Sequence, residues 1–361
     1  MDTLLITGGA GFIGSNLVRR VLATSEARVL VVDKLTYAGR RENLEDVLGD
    51  ARLELVVADI CDRQAMSALF RDRRPRGILN LAAETHVDRS IDGPRAFVET
   101  NTLGTFELLE AARGWLATTD DAARQAFRFL HVSTDEVFGS LGADGLFRED
   151  TPYDPSSPYS ASKAAADHLV RAYHRTYGMH TLVTNCSNNY GAYQFPEKLI
   201  PLTILNAVEG RDLPIYGDGS NVRDWIYVDD HCRGLLEVFD NGAPGETYNL
   251  GASCERSNLE TVETLCDVLD EVLPARDNGA LAARGASSYR DLMTFVDDRP
   301  GHDLRYAVDA SKARDALGFE PATDFETGLR RTVEWYVANR EWCESAQATG
   351  YRRPRLGLAT S

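Results

Sequence analysis

The stretch TLLITGGAGFIGSNLV constrains this chain more than any other. A β-favouring run, Thr3–Thr7, enters a turn where Gly8, Gly11 and Gly14 stand three residues apart, and a helical pattern follows over Ser15–Thr24. Gly9, Gly11 and Gly14 also satisfy G-x-G-x-x-G. Glycines placed this way permit a tight turn and close approach of backbone to a pyrophosphate, and the last one lets helix and strand pack closely. The helix N-terminus adds free N–H donors and a partial positive charge. A glycine motif alone also describes an ordinary turn, but strand, turn and helix in register point to a dinucleotide site.

The rest of the first half repeats the same rhythm. Candidate strands fall at Arg28–Val32, Leu53–Val57, Gly77–Leu81, Phe127–Val132 and Thr181–Asn185, separated by helical patterns such as Thr102–Leu116. Such alternation predicts an α/β fold of Rossmann type, a doubly wound parallel sheet whose ligands lie beyond the carboxyl ends of the strands. After residue 186 the pattern breaks into aromatic, turn-rich loops, NNYGAYQFPEKLIPL and LPIYGDGSNVRDW. Residues 1–186 are therefore expected to form the cofactor domain, with some later segments returning to it. Residues 187–361 are expected to form a smaller C-terminal substrate lobe and tail. The polar stretch Leu273–Ser288 reads as an exposed loop.

Composition excludes several function classes. With 39 Lys and Arg against 55 Asp and Glu, the 361 residues carry a formal charge of −16. Such a surface repels nucleic acid and anionic lipid, so a phosphate-bearing ligand needs local arginines or helix N-termini. No apolar run reaches the ~18 residues of a membrane span. No basic segment precedes an apolar one at the start, so no secretory leader is expected. Six scattered cysteines show no metal-ligand spacing and read as buried small hydrophobes in a reducing, cytoplasmic setting.

Asp33 ends the second strand 19 residues after Gly14. A carboxylate there accepts both ribose hydroxyls of NAD and repels the 2′-phosphate of NADP. Arg40 and Arg41 are near enough to receive that phosphate, so the spacing favours NAD without deciding it. Asp59, two residues beyond the third strand, reads equally as an adenine contact or a solvated loop carboxylate.

Tyr159 and Lys163 stand four apart in SPYSASKAAADHLV and so share one helical face, with Cβ atoms about 6 Å apart. An adjacent ammonium favours the phenolate, which makes Tyr159 a candidate base. The fifth strand ends HVSTDEVFG, bringing Thr134, Asp135 and Glu136 to the sheet edge. Two neighbouring carboxyls exceed what a simple alcohol oxidation requires. Ser133-x-x-Glu136 also fits a capping box, although Gly139, Gly142 and Gly145 follow where a helix should.

TGGAGFIGS, LAAETHVDRSI, HVSTDEVFG, YSASKA, NNYGAYQFPEKLIP, PIYGDGSNVRDWIYVDDH and DRPGHDLRYA together resemble the dTDP-glucose 4,6-dehydratases, which are extended short-chain dehydrogenases/reductases. The blocks span nearly the whole chain, and the Thr-Asp-Glu triplet is the one that separates these enzymes from sugar epimerases. Two departures fall on the substrate side: Ala192 stands where a proline is usual, and CERSNLE differs just before its asparagine.

The resemblance implies a tightly bound, recycled NAD and dTDP-glucose as substrate. Tyr159 would take the proton of the sugar 4-hydroxyl as hydride leaves C4, aided by Thr134. Glu136 would remove the C5 proton, and Asp135 would protonate the departing C6 hydroxyl. Besides the three glycines, Asp33 and Asp59, it implies cofactor contacts at Phe12, Ile13, Lys34, Thr36, Ile60, Leu81, Ala82, Ala83, Thr100, Tyr159 and Lys163. Substrate contacts fall at Thr85, Thr134, Asn188, Glu197, Lys198 and Leu199. Tyr216 would stack on the base, and Arg223, Asn258, Arg299 and His302 would hold the diphosphate. Two arginines on separate loops suit a dianion in an acidic protein, though each alone also reads as a surface ion pair. No metal site is expected. A homodimer is, with Thr102–Leu116 and Tyr159–Tyr177 pairing across a two-fold axis as a four-helix bundle. The rival readings are a dehydratase of a UDP-sugar, a nucleotide-sugar 4-epimerase and a non-catalytic NAD-binding regulator.

Overall fold

The computed structural model describes residues 2–298 and 303–348. Seven parallel strands form the main sheet: β1 (Thr3–Thr7), β2 (Arg28–Asp33), β3 (Leu53–Val57), β4 (Gly77–Asn80), β5 (Arg128–Thr134), β6 (Thr181–Cys186) and, from the second half, β10 (Thr247–Leu250). Their order is β10-β6-β5-β4-β1-β2-β3. The strands read as continuous apolar runs because both faces are covered. Leu4 and Ile6 face the helices Phe12–Thr24 and Val228–Asn241, while Leu5 between them faces Arg63–Arg73, Thr105–Leu116 and Pro158–Tyr177. This is the doubly wound α/β arrangement expected.

Strand ends differ from the sequence reading by one or two residues, the usual play of fraying termini. Two helical differences are larger. The first helix starts at Phe12, and the segment before Thr105–Leu116 is wound as a π-helix over Val98–Gly104. The wider turn carries Thr100, which is buried.

Chain order reverses between β1 and β4, and that switch point opens the crevice where ligands of such sheets lie. A second core gathers the helices Leu199–Val208, Asn258–Val272 and Phe325–Ala338. Two small sheets adjoin it: β7 (Asn188–Tyr190), β9 (Val222–Tyr227) and β11 (Glu255–Ser257) in order β11-β9-β7, and β8 (Leu213–Tyr216) paired with β12 (Met293–Val296). The stretch 273–288 is not simply an exposed loop. It contains the short helix Gly279–Ala283, whose Leu281 is fully buried in the second core, because one apolar anchor suffices to pin a polar segment.

Candidate active site

One cleft runs along the carboxyl edge of the sheet, from the glycine turn past β4 and β5 to the start of β7. Gly8 makes the turn with φ +66°, and a Cβ there would sit 2.7 Å from the Ala82 amide nitrogen across the switch point. A Cβ on Gly14 would run into the Gly8 carbonyl, so the helix can lie this close only with glycine. Gly11 caps that helix with no side chain of its own, which leaves the first-turn N–H groups facing the cleft beside Phe12 and Ile13. A free, positive helix end with nothing but backbone over it fits a pyrophosphate.

At the far side of the turn, Asp33 is buried at the end of β2. Its Oδ2 accepts the Ala10 N–H at 3.0 Å and its Oδ1 the Leu35 N–H at 2.9 Å. Burial raises its pKa against those two bonds. Lys34 Nζ donates to Thr100 Oγ1 at 3.0 Å and lies 3.6 Å from Glu84 and 3.9 Å from Asp59. Thr36, Ile60, Leu81, Ala82 and Ala83 complete the lining with these residues. Of the two candidates for a 2′-phosphate, Arg40 is turned away: it is buried, bonded to Ser345 and Glu42, and stacked on Trp342. Arg41 is exposed.

The chemistry-bearing groups meet midway. Tyr159, in the first turn of Pro158–Tyr177, is buried edge-on to Phe97. Ser157 caps this helix in a reciprocal box with Ser160, and Pro158 occupies its first position, so the start that orients Tyr159 is set locally. Burial, and then Glu136 and Cys186, push the Tyr159 phenol well above its ordinary range, while the Thr134 hydroxyl pulls the other way. This runs against the expectation that Lys163 would favour the phenolate. Lys163 Nζ is itself buried, donates to the Val132 carbonyl at 2.7 Å, and is pulled down by burial to about 8.

Thr134 ends β5 and its Oγ1 accepts the Glu136 N–H at 3.3 Å, capping a four-residue 3-10 turn, Asp135–Phe138. A cap is therefore present, but on Thr134; Ser133 instead donates to Asp167. The turn presents Asp135 and Glu136 to the cleft from adjacent positions. Asp135 is buried, Thr134 Oγ1 reaches its Oδ1 at 3.3 Å, and its Oδ2 has no hydrogen-bond partner. Burial first, then Glu136 and Asp224, raise its pKa well above the carboxylate range against the pull of Arg223. The environment of Asp135 thus favours the protonated carboxyl more than water does.

Among the expected substrate contacts, Thr85, Asn188, Glu197 and Lys198 line the same cleft; Leu199, Tyr216, Arg223 and Asn258 do not. Leu199 packs against the second core, and Tyr216 ends β8. Asn258 opens the helix after β11, its N–H on the Asn221 carbonyl. Arg223 donates to the Val222 and Asp303 carbonyls and lies over the Tyr306 ring. Arg299 and His302 lie outside the described residues, as does the tail from 349.

Other lining residues carried no sequence signal. Tyr37 donates to Glu197 Oε1 at 3.0 Å, and Arg89 reaches Glu197 Oε2 at 3.2 Å while lying over the Tyr37 ring. Cys186 lines the cleft, and burial raises its thiol to about 12. The expectation of six buried cysteines holds for four; Cys61 and Cys254 are half-buried. Among the described residues no cluster has the makings of a metal site, and no helix is long and apolar enough to cross a membrane.

A Rossmann sheet with a glycine turn, a buried tyrosine and lysine four apart, and paired carboxyls beside them defines an extended short-chain dehydrogenase/reductase of the nucleotide-sugar type. The family model described as GDP-mannose 4,6 dehydratase matches residues 5–332. A dTDP-glucose 4,6-dehydratase of Neisseria meningitidis is 53% identical, covering 99% of both chains, and dTDP-glucose 4,6-dehydratase 1 of Escherichia coli K12 is 53% identical over 97% of this chain and 96% of its own. The chain belongs to the dTDP-glucose 4,6-dehydratase family. Among solved structures, the dTDP-glucose 4,6-dehydratase of Streptomyces venezuelae, crystallised with NAD bound, is 45% identical with a TM-score of 0.85, covering 95% of this chain and 99% of its own. A UDP-glucose 4-epimerase of Thermotoga maritima superposes with a TM-score of 0.80 at 27% identity, covering 94% and 99%.

Proposed function

We propose that this chain converts dTDP-glucose to dTDP-4-keto-6-deoxyglucose with a recycled NAD, as a hydro-lyase. The observation that carries the reading is Asp135, a buried carboxyl with one unpaired oxygen beside Glu136 and Tyr159, whose pKa burial raises well above its ordinary value. Elimination of water needs an acid for the leaving hydroxyl and a base for the adjacent carbon, and this pair provides both. The glycine turn, the bare helix end, Asp33 and Lys34 are the groups that would hold NAD, which when bound supplies the acceptor for the C4 hydride and returns it to C6.

Every other step falls to side chains. For this step Tyr159 first gives up its phenol proton; its Oη then takes the 4-hydroxyl proton, with Thr134 holding the same oxygen. The 4-ketone acidifies C5, and Glu136 takes that proton. Asp135 gives its proton to the C6 oxygen, which leaves as water; as C6 is reduced Glu136 returns its proton to C5, and the proton lost by the 4-hydroxyl makes good the one Asp135 gave. The sum is loss of one water with no net redox change. An epimerase needs the tyrosine but has no use for the paired carboxyls, which is the reason to set that reading second.

In the same reading residues 1–186, with β10 and the Val228–Asn241 helix, form the cofactor domain, and residues 187–361 form most of the nucleotide-sugar lobe. Two copies pair through Thr102–Leu116 and Tyr159–Tyr177 as a four-helix bundle; Leu103 and Tyr177 are 50% and 53% exposed, which supports an apolar contact there. Free thiols suit a reducing cytoplasm, and the product suits deoxysugar biosynthesis, of which rhamnose is one branch. The test is to incubate the protein with dTDP-glucose and UDP-glucose in parallel, following the 4-keto-6-deoxy product by its absorbance in alkali. Absence of product from both refutes the reading, and product from UDP-glucose alone refutes the base preference.

A further inference from the structure

Ala10 sits in the middle of the glycine turn, and each polar group of its two peptides is held. The Ala10 N–H donates to Asp33 Oδ2 at 3.0 Å, and the Gly11 N–H to the Gly8 carbonyl at 3.0 Å. The Ala10 carbonyl accepts twice, from the Arg40 N–H at 3.0 Å and from Asn43 Nδ2 at 2.7 Å. Both donors belong to the short 3-10 turn beyond β2, Arg40 at its cap and the buried Asn43 within it. Holding these two donors in place therefore holds the turn, the bare helix end that follows it and the carboxylate of Asp33.

The helix Arg340–Ala348 holds both. Trp342 Nε1–H donates to Asn43 Oδ1 at 2.9 Å. An indole N–H only donates, so it meets the amide oxygen and leaves Nδ2 directed at Ala10. Arg40 donates through Nη2 to Ser345 Oγ, and its guanidinium lies 5.8 Å from the Trp342 ring centroid, within cation–π reach. The same helical pair reaches the opposite wall of the cleft. Trp342 packs on Trp335 and Tyr193, and Tyr336 Oη donates to the carbonyl of Gln194, a lining residue. Nine residues are too few for a stable isolated helix, so Arg340–Ala348 is held by these contacts and opens locally when they break.

We propose that Arg340–Ala348 is a clasp on the cofactor site, with Trp342, Arg40 and Asn43 as positioning residues that keep the glycine turn and Asp33 in the geometry NAD needs and so slow its release. None of the three lines the cleft; they act through Ala10. Coupling of this kind is reciprocal. If the docked helix favours bound NAD, bound NAD favours the docked helix by the same factor. The inference rests on the cleft holding NAD and on no step of the sugar chemistry, so it and the dehydratase reading fail separately.

Two measurements on the full chain test it, with NAD itself as the probe. Bound NAD is chased with isotopically labelled NAD to give its release rate. Exchange of the Trp342 indole N–H with deuterated solvent is followed by 15N NMR with and without NAD; the chain has four tryptophans, and Trp342→Phe assigns the signal. That variant keeps a ring against Arg40 and removes the N–H, and it should release NAD about 3- to 10-fold faster, the range of one hydrogen bond. Ser345→Ala removes one exposed hydroxyl, leaves the fold intact and should speed release about twofold, the low end of that range. In the wild type NAD should slow the Trp342 exchange by at least the factor that Trp342→Phe loses. An indole N–H exchanging equally with and without NAD makes the helix a structural element alone and overturns the proposal. Release at the wild-type rate from both variants overturns it too. A wild type that binds no NAD removes the cofactor site and the clasp with it.

Discussion

Replacing Asp135 by Asn tests catalysis and electrostatics in one variant. The change keeps shape and removes only the proton the carboxyl can give, at a site where Oδ2 has no partner to lose. Loss of a general acid costs about 10²–10⁴ in rate, or ~3–5 kcal/mol of barrier, so formation of the 4-keto-6-deoxy product should fall by that factor. Stability should move the other way. The native Asp135 pKa lies well above its unfolded value because burial and Glu136 oppose its ionisation. Between the unfolded pKa and the native one, the folded protein binds more protons than the unfolded chain, so stability is full at acid pH and falls as pH rises. An asparagine carries no such slope. Thermal unfolding at pH 5 and pH 8 should therefore show the wild type losing more stability between the two than Asp135→Asn, with the variant gaining relative to wild type at pH 8. Rapid-quench turnover alongside deuterium exchange at C5 completes the assay, since Glu136 should still exchange C5 when Asp135 cannot act. A variant that turns over at the wild-type rate refutes the acid role, and parallel pH dependences of melting refute the burial argument.

Glu136→Gln should stop after oxidation: single-turnover absorbance of the reduced cofactor should build up without C5 exchange, whereas Tyr159→Phe should give no such absorbance. NAD should copurify, and Asp33→Ala should weaken its binding by about 1.5–3 kcal/mol, the range for a charge-assisted acceptor; calorimetry on stripped protein giving wild-type affinity would assign the ribose to another residue. Leu103→Glu should turn a dimer into a monomer by light scattering at micromolar concentration, and a wild type that is already monomeric rejects the helix pairing.

The elements that carry the chemistry were legible from residue order because they are local. A strand buried on both faces must be an apolar run, as Leu4–Ile6 and Val29–Val32 are, and a turn under a helix end must be glycine where a Cβ has no room, as at Gly14. Tyr159 and Lys163 share a face because a helix repeats every 3.6 residues. Charge states were not legible. Spacing paired Lys163 with Tyr159 so as to favour the phenolate, while burial in the folded protein holds the phenol protonated and draws the amine down to about 8. Nor was there any mark in the sequence for the bond between Asn80 and His131, 51 residues apart, or for Tyr37 and Arg89 closing on Glu197 from positions 160 and 108 residues away. Arg40 read as a phosphate ligand until its helix-side neighbours Trp342 and Ser345, some 300 residues on, took it up. Local sterics and periodicity are written into consecutive residues. Desolvation and the pairing of distant side chains exist only once the chain has brought β1, β4, β5 and the later helices together, and those two effects decide which groups in the cleft hold a proton.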